Sequence, residues 1–151
     1  MDESQFIDAL YAWFSAAPRP SAEEVTSHRC LQCDEICDEL SRCTARSVPD
    51  DFFRGHADSL PLLTPTALRY FLPRYLEFSI RNQDSDLSDL ILYSLSGCSS
   101  DQGFWLPRFQ TFAHAERRAV AEFLKLRQMW ADRDPDDPDL VEALHYWSDG
   151  A

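Results

Sequence analysis

LPLLTPTALRYFLPRYLEFSIR, residues 60–81, is the stretch that decides the fold class. Thr64-Pro65 is a helix start: a threonine oxygen serves as cap for the first free N–H groups, and proline at the first helical position forfeits only a donor that has no partner there. Beyond it Leu68, Phe71, Leu72, Tyr75, Leu76 and Ile80 recur at spacings of three and four, the period of one helical face, and are expected to point into a core. Pro73 falls inside this pattern. It lacks an N–H and its ring crowds the preceding turn, so a kink or break is expected there, with helix resuming to Arg81.

The same period spreads outward in both directions. Residues 3–16 read as a first helix with Phe6, Leu10 and Trp13 at helical spacing, ended by Pro18 and Pro20. Ser21 and Glu24 form an S-x-x-E capping pattern that opens a short helix. Cys30 to Ser41 reads as a helix carrying Cys30, Cys33, Ile36, Cys37 and Leu40 on one side, and Pro49 to Leu60 as short turns holding Phe52, Phe53 and Leu60. C-terminal to the central stretch, Asp84–Asp89 opens a helix with Leu87, Leu90, Ile91 and Leu95, stopped by Gly97. A loop at 97–103 and a short bridge from Trp105 to Phe109 follow. The longest helix, Ala113 to Arg133, displays Val120, Phe123, Leu124 and Arg127; DRDPDDPD (132–139) is a turn, and Pro138 opens a last helix with Leu140, Val141, Leu144 and Trp147. With four glycines, no β-branched runs and no internal repeat, the expectation is an all-α chain: a single helical domain over 1–151, of about six to eight helices around a Pro-kinked central one.

Composition narrows function by exclusion. Hydrophobic residues make up 44% and aromatics 13%, too many for a disordered chain. The net charge of −12 is uneven: residues 1–50 carry ten acids against four bases, 51–131 nine against nine, and 132–151 seven against one. No basic cluster is available to neutralise phosphates, so neither nucleic acid nor an anionic membrane surface is an expected partner. The first residues are acidic where a secretion signal needs positive charge, and no apolar run reaches the roughly 18 residues of a membrane span. Five cysteines, an odd number, fit reduced thiols in a cytoplasm.

Residues 60–76 resemble a bacterial family catalogued only as a domain of unknown function, whose members carry a segment of the LPFLTPEAFRYYLPAYL type. The resemblance extends to a Cys-acid-acid-Ile segment (Cys33-Asp34-Glu35-Ile36), a helix-opening phrase at Phe109 to Phe112, a V-x-x-F-L pair (Val120, Phe123, Leu124), and a terminal AL-x-x-YW motif near Ala143-Leu144-His145-Tyr146-Trp147, one residue shorter here. It covers roughly 30–147. It implies the helical architecture and a bacterial source, and it carries no activity with it.

The chemistry-bearing residues form few constellations. Cys30, Cys33, Cys37 and Cys43 lie close together beside His28, and C-x-x-C is half of a zinc-site spacing. Small hydrophobes on a buried stripe explain the same spacing, and that is the preferred expectation; a structural zinc at the Cys30–Cys43 cluster, with Cys30, Cys33 and Cys37 as candidates, and redox chemistry are the alternatives. His28, His56, His114 and His145 make no metal pair; His56 has Asp58 and Ser59 nearby, but no nucleophile elbow accompanies them, and a surface or capping role is expected. Phosphate loops are absent, and Lys125 is the sole lysine. Arg69, Arg74 and Arg81, with Tyr70 and Tyr75, line one helical region, where pairing with acids on other helices is preferred over an anionic ligand. Asp34, Glu35, Asp38 and Glu39 group on the side of the cysteine helix away from its apolar stripe, where a solvated face is the preferred reading and a docking surface for a basic protein the alternative.

No catalytic residue and no cofactor are called for. The expected class is a non-enzymatic, acidic protein-interaction module, of the immunity or inhibitor type, binding a basic partner such as a toxin through Asp34, Glu35, Asp38 and Glu39. The alternatives are a small helical protein stabilised by zinc and an enzyme with an unrecognised site.

Overall fold

The computed structural model describes residues 1–96, 102–130 and 133–149. Eight α-helices occur among them: α1 (Glu3–Trp13), α2 (Leu31–Ser41), α3 (Asp50–Gly55), α4 (Pro65–Arg81), α5 (Asp86–Leu95), α6 (Gln102–Phe109), α7 (His114–Gln128) and α8 (Pro138–Asp149), with short 3₁₀ turns at Ala22–Glu24, Ala45–Ser47 and Leu60–Leu62. Extended pairing among the described residues is confined to one antiparallel bridge, Thr26 with Leu63. The fold is all-α.

α4 is the hub, packed against α1, α3, α5, α6 and the Ala45–Ser47 turn. Its start is built as its residue types dictate: the Thr64 hydroxyl accepts the Ala67 N–H at 3.1 Å and donates to the Glu24 carbonyl, tying α4 to the turn before α2. All six residues expected to face the core are buried. Pro73 is also buried, and α4 runs through it without ending. A missing N–H is tolerated because both sides of the proline are locked by burial of Phe71, Leu72, Tyr75 and Leu76.

α7 and α8 pack closely together, and α8 also lies on α5. Trp147 closes this corner, wholly buried, with its ring centroid 4.7 Å from that of Phe109 and its indole N–H donated to the Leu95 carbonyl at 3.1 Å. One continuous core, from Ile7 to Trp147, joins the helices.

Several boundaries differ from expectation. The buried stripe of α1 is Ile7 and Leu10, continued by Phe14; Phe6 and Trp13 sit half-buried beside it and meet edge to face at 6.2 Å. The expected bridge at 105–109 is the body of α6, which accommodates Pro107 in its exterior face. Of the loop expected at 97–103, residues 97–101, with the Gly97 stop, lie outside the described residues. α7 ends at Gln128, earlier than Arg133, because the chain turns at Met129 to bury Trp130.

Candidate functional site

α2 begins where the Ala22–Glu24 turn, held by the Glu24 carboxylate accepting the Ser21 N–H at 3.1 Å, delivers the chain into Cys30. Cys30 is the cap of α2 and not its first turn. Its sulfur accepts the Cys33 N–H at 3.2 Å, the bond a serine or threonine oxygen makes at other helix starts. In consequence Cys30 is exposed and does not share the buried stripe formed by Cys33, Ile36 and Leu40. Cys37 and Cys43 are half-buried, their thiols donated to the Ala22 and Glu39 carbonyls at 2.9 and 3.4 Å. Cys98 lies outside the described residues.

The cysteines therefore part company. His28, Cys30 and Cys33 bring three ligand atoms within 4.8 Å of one another, with the Cys33 sulfur 3.6 Å from His28 Nδ1. Cys37, engaged with Ala22, is not of this group, and the three donors found among the described residues are one short of the closed four of a structural zinc site. The two thiols are unlike. Hydrogen bonds from the Cys33 side chain and N–H hold the Cys30 thiol below its ordinary range. Burial, reinforced by Cys30 and Asp34, pushes the Cys33 thiol up to about 11.

On the far side of α2 the four acids are all exposed. Asp38 pairs with Arg42 at 3.0 Å one turn on, and Glu39 with His56 Nε2 at 3.1 Å from the end of α3. Asp34 and Glu35 have no ion pair among the described residues. Leu31, 80% exposed, stands at the N-terminal end of this face.

The other candidates are accounted for by neighbours. Arg69 forks onto Glu116 through bonds of 2.5 and 2.9 Å, Arg74 donates to the Val48 carbonyl and to Asp50, and Arg81 meets Glu77. The Tyr70 hydroxyl accepts the Ala45 N–H, and that of Tyr75 pairs with Ser59 at 2.6 Å. With Ser59 bound to Tyr75, Asp58 to Gln32 and His56 to Glu39, the three do not form a triad. His114 is exposed at the start of α7, and His145 is exposed on α8. A cleft missing from the sequence reading lies between α5 and α6, lined by Leu60, Pro61, Leu90, Tyr93, Phe104 and Trp105. Nothing in the spacing of those residues announces it, because the consecutive helices α5 and α6 form it only together with Leu60 and Pro61, from a turn well upstream of both. No described helix is long and apolar enough to cross a membrane.

An all-α protein with an acidic helix face and, at the start of that helix, a C-x-x-C whose first cysteine is exposed and second buried is the class these features define. The sequence model of a family of unknown function (DUF6714) matches residues 22–151, and the chain belongs to that family. No curated protein and no solved structure matches it.

Proposed function

We propose that the protein is a non-enzymatic interaction module that docks a basic protein on the outward face of α2, in the manner of an immunity or inhibitor protein holding a basic partner such as a toxin. The observation that carries this is the state of Asp34 and Glu35: exposed, adjacent, on α2, and without an ion pair among the described residues. Asp38 and Glu39 extend the same face, and their partners Arg42 and His56 hold them in place. A net charge of −12 adds a long-range field of the same sign, which accelerates encounter with a cationic surface. Leu31 supplies an apolar contact at the rim.

The test compares capture from the native host by the natural protein and by the Asp34→Asn, Glu35→Gln variant, with circular dichroism showing both equally helical. Docking at this face requires a basic protein that the natural chain retains at low salt and the variant loses. Equal capture by both excludes the face.

A further inference from the structure

The acidic face leaves the start of the same helix unexplained. Cys30 presents its sulfur to solvent at the cap of α2, where free N–H groups and the positive end of the helix favour a thiolate. Cys33, three residues on, is the neighbour one turn away, wholly buried, its sulfur within 4.8 Å of that of Cys30 and 3.6 Å from the His28 imidazole. An outer thiol, an inner thiol and a base beside the inner one are the parts of a dithiol that exchanges with disulfides.

We infer that Cys30 and Cys33 are a thiol–disulfide exchange pair, with Cys30 the attacking thiolate, Cys33 the resolving thiol and His28 the acceptor of its proton. The substrate class is a disulfide. The Cys30 thiolate bonds to one sulfur of the substrate disulfide, the substrate S–S bond breaks, and one half departs as a thiolate that takes a proton from water. Cys33 then gives its proton to His28 and its sulfur bonds to Cys30 Sγ. The Cys30–substrate bond breaks, and the second half leaves as a thiol with the proton returned from His28. Two electrons pass: the substrate disulfide becomes two thiols, and the dithiol becomes a disulfide. The thiol acidities divide in the direction this needs, Cys30 lowered by its hydrogen bonds and Cys33 raised by burial. Asp34, which disfavours both thiolates, is the charged group that opposes it. This inference does not rest on the docking face and stands or falls separately from it.

Glutathione disulfide is the probe. The Cys33→Ser variant is expected to accumulate one glutathione on Cys30, read by intact mass and by the peptide spanning Cys30 to Arg42. The natural chain should instead lose two hydrogens and protect Cys30 and Cys33 together from alkylation. With iodoacetamide at neutral pH, Cys30 should react roughly tenfold faster than Cys43. His28→Asn should leave adduct formation unchanged and slow its resolution several-fold, a split that a merely structural histidine would not produce. Circular dichroism verifies that each variant is helical. No adduct on folded Cys33→Ser, or Cys30 no faster than Cys43, overturns the pair. So does stoichiometric zinc in the protein as isolated, shielding both thiols until a chelator removes it. Equal slowing of both steps by His28→Asn overturns the assignment of the base.

Discussion

Two charged regions of this molecule are built on opposite terms. Between α4 and α7, Glu116 is fully buried yet receives both Arg69 bonds and the Ala113 N–H at 2.8 Å; Arg127, also buried, spends its donors on the Ser88 carbonyl and hydroxyl and on Asp89. On the outward face of α2 the acids outnumber their partners and stand in water. Burying a lone charge is unfavourable, and these interior charges are paired, although the buried Arg74, paired with Asp50, leaves its Nη1 without a hydrogen bond; an exposed carboxylate gains little from being paired. Uncompensated charge in this protein is therefore a property of its surface. The interior charges are held by partners in the fold, whereas on α2 Asp38 and Glu39 are paired and Asp34 and Glu35 have no ion pair among the described residues.

That contrast gives a ladder of expected effects. Glu116→Ala leaves Arg69 without its partner and removes the cap acceptor of α7; it should destabilise by about 3–5 kcal/mol, nearer the lower end because the Arg69 side chain retains 21% exposure, measured by urea denaturation. A loss under about 1 kcal/mol would dissolve the distinction between the regions. Arg127→Ala should cost about 2–3 kcal/mol, since the Ser88 carbonyl and hydroxyl lose donors while Asp89 keeps Arg133 at 2.9 Å. Tyr75→Phe removes only the buried hydroxyl paired with Ser59, and thermal melting should report about 1–2 kcal/mol. At the foot of the ladder, the Asp34→Asn, Glu35→Gln pair should change stability by no more than about 0.5 kcal/mol. A clear loss there would mean the acids serve the fold.

What could be read from the sequence divides along the same line. The α4 face was legible because its six apolar residues obey one period, and the Thr64-Pro65 start because its atoms act locally. The stripe of α1 was misplaced: Phe6 and Trp13 are as apolar as Ile7 and Phe14, and only packing against α4 and α7 selects between the sets. Pairs such as Arg69 with Glu116 are separated by 47 residues and follow no period, so their existence could be expected but not their identity. At α2 the acidic face followed from helical spacing. The role of Cys30 did not, because thiols seldom cap helices and a one-residue shift of the start moved it from the buried stripe to the surface. The pairing of Glu39 with His56 depended on where α3 ends and was invisible for the same reason.

Docking of a basic protein on the α2 face, as proposed, works through charge. Its most direct test is the association rate of the protein retained from the host, purified and measured by stopped flow against the natural chain and the Asp34→Asn, Glu35→Gln variant over a range of salt. Charge steering between surfaces is screened over about 8–10 Å at ordinary ionic strength. The natural chain should associate faster at low salt, the two rates should converge as salt rises, and the dissociation rates should differ less than the association rates. Identical rates for both chains at low salt, or a difference that persists unchanged at high salt, would contradict the account.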